Sequence, residues 1–225
     1  NPYIHDFAAY DLWMKPLGLY WLAAYIEKHG YETNLIDCMD RFHPSWLKSQ
    51  NLKRPRGLRT GCGPIPFTII QKPSIYSGIP RHYRRFGMPI DIFKSLLDKV
   101  DKPEAILVGS MMTFWYTGVF ETIGFLKEKF PGVPIALGGV YASLCYEHAK
   151  ELSGANIVFK GPSEIALLKW LDNITSQKRD YPEYDILPAE MLPIPKHDFL
   201  SLHSPAIIAT SLGCPCNCSY CASKM

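Results

Sequence analysis

From residue 89 onward the chain alternates between short apolar runs that end on glycine and longer segments of helical period. This alternation restricts the possible folds more than any other feature of the sequence. Ile92, Phe93, Leu96, Leu97 and Val100 recur at helical spacing, and the apolar run 105–108 then leads into Gly109-Ser110. Residues 119–129 carry a second helical pattern, and 134–137 a second apolar run ending in Gly138-Gly139. A weaker helix near 147–152 precedes the run 157–159, which ends at Gly161, and residues 163–174 form the last helix. Antiparallel strands can be joined by tight turns, whereas strands separated by helices need crossovers and pair in parallel. The expected fold is therefore α/β, with a Rossmann-like, doubly wound parallel sheet.

The chain before residue 89 divides in two. Residues 16–29 read as a helix: Leu17, Trp21, Ala24 and Lys28 share a face, while Leu22, Ala23 and Ile26 make the remainder nearly all apolar. Pro16 suits its first turn and Gly30 the left-handed position after its last. A short strand is expected over 33–38. Residues 40–88 break every period at Arg54-Pro55-Arg56-Gly57, Gly61-Cys62-Gly63-Pro64 and Ile79-Pro80-Arg81, and read as an irregular insertion. The basic run Arg81, Arg84, Arg85 reads as a solvated surface, with a phosphate or carboxylate site as the alternative. Pro182, Pro188, Pro193 and Pro195 mark a linker, and 206–209 begins a new strand. The expected organisation is a Rossmann-like domain over 1–175 with an irregular insertion at about 40–88, a linker over 176–204, and the start of a second domain over 205–225.

Charge and hydropathy exclude several function classes. With 24 basic and 21 acidic residues the net charge is +3, which gives no electrostatic case for nucleic acid or a membrane surface as the main partner. No apolar run approaches a membrane span, and no basic-then-apolar leader opens the chain, so a cytoplasmic address is expected. Of the seven cysteines, Cys38, Cys62 and Cys145 are scattered, while Cys214, Cys216, Cys218 and Cys221 crowd together. Such crowding favours metal ligation over a disulfide framework.

The crowded segment reads Gly213-Cys214-Pro215-Cys216-Asn217-Cys218-Ser219-Tyr220-Cys221. Cys214, Cys218 and Cys221 give C-x3-C-x2-C, with Tyr220 just before the last cysteine and Thr210-Ser211-Leu212-Gly213 leading in. Here the sequence resembles the radical S-adenosylmethionine superfamily. The resemblance implies a 4Fe-4S cluster on Cys214, Cys218 and Cys221, with Tyr220 beside the cofactors and one iron left open for S-adenosylmethionine. An electron from an external donor then cleaves the sulfonium and yields a 5′-deoxyadenosyl radical that abstracts hydrogen from a small-molecule or peptide substrate. Thiolates suit such clusters, and a glycine-containing loop can aim three of them at one centre. Cys216 stands where that family more often has a large apolar residue.

A second resemblance lies upstream. Lys15-Pro16-Leu17-Gly18-Leu19, Leu35-Ile36-Asp37, Val108-Gly109-Ser110, Leu137-Gly138-Gly139-Val140 and Lys160-Gly161-Pro162-Ser163-Glu164 are similar to cobalamin-binding domains that precede radical enzymes. Pro162 and Ser163 depart from the usual Gly-Glu-Gly-Glu. Ligands in open parallel sheets sit beyond the carboxyl ends of the strands. The expected cobalamin contacts are therefore Ser110, Met111, Met112, Thr113, Gly138, Gly139, Val140, Gly161 and Glu164. No D-x-H-x-x-G segment exists, so cobalamin is expected without histidine coordination; His5, His29, His82, His148 and His197 read as surface or structural residues.

The resemblance places a further strand before Asn1 and most of a partial β/α barrel after Met225, so the 225-residue chain alone is expected to show no turnover. Two other classes stay open: a cobalamin-binding module without radical chemistry, and a zinc-stabilised interaction domain on the four cysteines. A ferredoxin-like electron carrier is the third reading of the same thiols, although the C-x2-C-x2-C run with its following proline is absent.

Overall fold

A computed structural model describes residues 1–12, 14–202 and 204–222. Trp13, His203 and residues 223–225, the last of these within the expected second domain, lie outside the described residues.

The first part of the chain contributes β1 (Ile4–Asp6), β2 (Tyr10–Asp11), α1 (Leu17–Glu27), α2 (Pro44–Ser49), β3 (Gly63–Pro64), β4 (Phe67–Ile69) and β5 (Arg84–Phe86). Strands β1, β5 and β4 form a small antiparallel sheet in that order, and β2 pairs with β3. The segment expected to be an irregular insertion thus holds one α-helix, a 3-10 turn (Ser74–Tyr76) and three short strands. Two- and three-residue strands are too short to show a period of two, so nothing in the sequence marks them.

The second part contributes α3 (Ile90–Leu97), β6 (Ile106–Val108), α4 (Tyr116–Lys129), β7 (Ile135–Leu137), α5 (Val140–Leu144), α6 (Tyr146–Leu152), β8 (Ile157–Val158) and α7 (Glu164–Thr175). Strands β6, β7 and β8 pair in parallel, in that order, with α4 crossing from the first to the second and α5–α6 from the second to the third. The protein is therefore mixed α/β, with one parallel three-stranded sheet.

Strand β7 shows why this sheet is covered on both faces. All three of its residues are buried. Alternate residues of a strand point to opposite faces. Ile135 and Leu137 pack into a core with Phe93, Leu97, Val119 and Ile123 of α3 and α4. Ala136 packs on the other side with Tyr25 and Ile26 of α1 and Leu167, Leu168 and Leu171 of α7. An apolar run without alternation is what a strand between two helical layers requires.

Helix α1 begins one residue after Pro16, which stands at its N-cap, and Gly30 takes φ 88° beyond its end. Its buried residues are Tyr20, Ala23, Tyr25 and Ile26, whereas the stripe Leu17, Trp21, Ala24 is only half-buried. The difference comes from the segment 176–204, whose described residues hold no α-helix or strand but lie across α1. Lys196 N donates to Tyr20 O at 3.1 Å, the His197 and Phe199 rings stand 6.3 Å from the Tyr20 ring, and Lys196 pairs with Glu27.

The expected strands over 33–38 and 206–209 do not form. The first is tied by single bonds: Asn1 N donates to Ile36 O at 3.0 Å, Cys38 N to Asn1 O at 3.0 Å, Met88 N to Cys38 O at 2.8 Å, and the Thr33 hydroxyl to Glu27. A strand exists through its ladder, and isolated bonds do not make one.

Helix α4 lies directly on β1. A Cβ at Gly118 would stand 2.1 Å from Tyr3 O, so only glycine allows this approach. Two side chains of α4 hold it there: Thr122 Oγ1 accepts from Tyr3 N at 3.1 Å, and Glu121 accepts from Arg85 Nη1 at 3.0 Å and contacts His5 Nε2 at 3.1 Å. Among the described residues, no helix is long and apolar enough to cross a membrane.

Candidate functional site

The exits of β6, β7 and β8 are joined by two serines. Ser110, just after β6, is buried; its hydroxyl donates to Gly138 O at 2.6 Å and accepts from Ala142 N at 3.2 Å. Its carbonyl accepts from Val140 N at 2.8 Å. A hydroxyl has one proton, so Ser110 holds the Gly138 turn and has none left to donate to an amide arm of a ligand. Ser143 repeats the device one step on: its hydroxyl donates to Gly139 O at 2.8 Å and accepts from Gly161 N at 2.9 Å. The three glycine loops read from the sequence are thereby one hydrogen-bonded unit. Ser143 was not singled out in the sequence; its signal is the position four residues after Gly139, where a helical hydroxyl reaches back to a carbonyl.

Gly139 has the most demanding backbone of this unit. It takes φ 97°, and a Cβ there would stand 2.2 Å from Ser110 O. Both left-handed strain and a backbone clash oppose any side chain. Gly139→Ala is expected to destabilise the protein by about 2 kcal/mol, read as a lower chemical-denaturation midpoint with an unchanged slope.

The remaining expected contacts surround this unit. Met112, Phe114 and Val140 are exposed at 46%, 51% and 47%, so apolar surface stands in solvent where the strands end. Met111 and Thr113 are half-buried, with Thr113 opening a 3-10 turn that packs beside α5. Gly138 and Gly161 have open space where a Cβ would be. Glu164 is the first residue of α7 and half-buried, a position where its charge suits the helix dipole. Exposed apolar side chains and uncrowded glycines at the strand exits suit the apolar face of a corrin ring in chemistry, while the Ser110 hydroxyl is already committed.

Four of the five histidines named from the sequence are engaged by protein groups. His5 meets Glu121, His29 Nδ1 lies 2.8 Å from Tyr25 O, His148 Nδ1 lies 2.7 Å from the Tyr141 hydroxyl, and His197 Nε2 lies 3.1 Å from Ile207 O. His82 is exposed in the β4–β5 region.

The cysteine segment is separate and open. Cys214 and Cys216 are exposed, Cys218 and Cys221 half-buried, and no two of the seven cysteines form a disulfide. Gly213 takes φ 73°, the left-handed conformation that lets the chain turn into Cys214. Cys221 N donates to Cys218 O at 3.2 Å, closing a turn with the C-x2-C pair at its two ends. Such a turn brings its first and fourth Cα atoms within about 7 Å. Tyr220, inside that turn, is 91% exposed. Among the described residues, no three His, Cys, Asp or Glu side chains are gathered as a metal site. The donor set fits an iron–sulfur cluster in kind, and its last two members fit in backbone geometry; Cys214 is not drawn in beside them.

No protein-family model, curated protein or solved structure matches the chain.

Proposed function

We propose that the chain is the front part of a radical S-adenosylmethionine enzyme, with the segment 205–222 presenting its cluster loop. One observation carries the reading: the C-x3-C-x2-C run has a left-handed glycine before its first cysteine and a closed turn between its last two. Cys214, Cys218 and Cys221 are the ligands; Cys216, exposed between them, is not. Tyr220, held out in solvent by the turn, is the ring available to cover the cofactors. A 4Fe-4S cluster, when bound, supplies the electron that cleaves S-adenosylmethionine reductively. The loop's part is to fix three thiolates and to leave one iron without a protein ligand.

We read the parallel sheet as part of a Rossmann-like, doubly wound domain, because helices cover both of its faces. The ledge of Met112, Phe114 and Val140 at its carboxyl end supports cobalamin as its ligand, without a histidine on cobalt, since the nearby His148 is engaged by Tyr141. In this reading the enzyme takes an external electron donor and a small-molecule or peptide substrate, and the reaction is a methyl transfer or rearrangement.

Anaerobic reconstitution of the full chain with iron and sulfide tests the first claim. The expected product holds about four irons per chain, with the broad visible absorbance of a cluster. Uptake of zinc in place of iron, with no such absorbance, would support the interaction-domain reading instead. Titration with hydroxocobalamin tests the second claim: the expected spectrum is that of bound, histidine-free cobalt, and an unperturbed spectrum at saturating protein sinks it.

A further inference from the structure

The charge of this protein is unevenly distributed in a way its net value hides. Residues 41–88 contain ten lysines and arginines and no aspartate or glutamate, leaving 14 basic against 21 acidic residues elsewhere. A segment so one-sided within a nearly balanced chain indicates an anionic partner for that segment.

The structure divides the basic run at its end into two roles. Arg84 and Arg85 are neighbours on β5 and so point to opposite faces. Arg85 turns inward, with its side chain 11% exposed and Nη1 at 3.0 Å from Glu121 Oε1. Arg84 turns the other way and lines a groove of about 400 Å³ with Phe7, Ala8, Pro80, Arg81 and His82. Its guanidinium lies 4.3 Å above the Phe67 ring. Stacking on a ring engages the face of a guanidinium and leaves its N–H edge available. The Arg84 Nε is buried and has no hydrogen-bond partner.

No carboxylate lines the groove. The nearest acid on the paired strand is Asp6, opposite Arg84 in register, and it is engaged by other donors: Trp115 Nε1 at 2.8 Å and Phe7 N at 2.6 Å. The ion pairs among the described residues involve other side chains than Arg81, His82 and Arg84. The buried Nε is closed to a ligand as well as to water, so an oxyanion in the groove is met by the terminal N–H groups of the guanidinium, which suit its paired oxygens.

We propose that this groove, built from the exit of β1 and the entry to β5, binds the phosphate group of a phosphorylated small molecule. Arg81 and Arg84 hold the phosphate, with His82 beside them. Phe7, Ala8 and Pro80 form an apolar wall for the body of the same ligand. Two arginines and a histidine without a carboxylate match a dianion better than a single carboxylate, which selects phosphate over the other anion that arginine recognises. The site rests on the groove alone and does not depend on the cluster reading, so iron reconstitution and this test fail independently.

Calorimetric titration of the full chain with phenyl phosphate, inorganic phosphate and succinate decides it. Phenyl phosphate is expected to bind with one site, at least about tenfold more tightly than inorganic phosphate because of the apolar wall, and succinate more weakly than either. Arg81→Gln and Arg84→Gln are each expected to weaken phenyl phosphate about tenfold or more. Arg81 is exposed, so its variant keeps the fold and remains informative if loss of the Arg84–Phe67 stack lowers stability. The proposal is overturned by absence of saturable phenyl phosphate binding, by equal or tighter binding of succinate, by no gain of phenyl phosphate over inorganic phosphate, or by full affinity in Arg81→Gln.

Discussion

Replacing any one of Cys214, Cys218 and Cys221 with alanine is expected to abolish stable cluster assembly, while Cys216→Ala reconstitutes as the parent does. A cubane held by three thiolates has no spare protein ligand, so each loss is all-or-none. Cys216 separates this outcome from the zinc reading, in which all four thiols are ligands and all four substitutions cut metal uptake. The cysteine segment lies outside the three hydrophobic cores. Melting temperatures of the four metal-free variants are therefore expected to equal that of the metal-free parent, which makes metal content a readout of ligation and not of folding. Normal iron content in a Cys218→Ala or Cys221→Ala variant would contradict the assignment of the turn as the ligand pair.

The largest effect on stability is expected at Asp172, which is 1% exposed. Its carboxylate accepts from Tyr31 Oη at 2.7 Å, Arg179 Nε at 2.7 Å and Tyr181 Oη at 2.5 Å. These donors come from the segment after α1 and from the chain after α7, so one carboxylate fastens two helices and the start of the 176–204 segment. Burial by itself raises its pKa, but the hydrogen bonds of Tyr181, Tyr31 and Arg179 outweigh burial and hold it below the usual carboxylate range. Asp172→Ala leaves the Tyr181 hydroxyl and Arg179 Nε without their acceptor, and Tyr31 with Thr175 Oγ1 alone, and is expected to cost about 3 kcal/mol. For a chain of this length that lowers the melting temperature by roughly 6–12 °C.

The pH dependence has a definite sign. A carboxylate whose folded pKa is depressed contributes stability that is fully present above its unfolded value, about 3.9, and is lost as pH falls through the folded pKa. The difference between parent and Asp172→Ala is therefore expected to hold from neutral pH down to about 5 and to shrink on acidification below about 4. A difference unchanged at the acid end would show that packing, and not the charged hub, carries the effect.

Between residues 89 and 175 the elements, α5 apart, were legible because their signals are local. The helical spacing of Phe93 and Leu97, and the apolar runs ending at Gly109, Gly138 and Gly161, reappear as α3 and the three parallel strands, with ends shifted by one to three residues. The same is true of the left-handed Gly30. The 40–88 segment was not legible, because β3 and β5 exist through pairing with β2 and β1, far away in sequence, and β4 through pairing with β5. The inward turn of Ser110 was hidden for a similar reason. A serine after a strand looks like a ligand donor until the neighbouring Gly138 carbonyl is seen to take its proton.

What the sequence determined by itself is the α/β alternation between residues 89 and 175, the turn at Gly30, and the thiol spacing of the cysteine segment, since each is set by near neighbours along the chain. Tertiary structure decided what distant residues do together. It split Arg84 from Arg85, one toward an open groove and one onto Glu121, because strand pairing fixes which side chain faces inward. It made Asp172 a hub, because Tyr31 lies 141 residues away in the chain and 2.7 Å away in space. Spacing along the chain names the donors; only packing determines which of them meet.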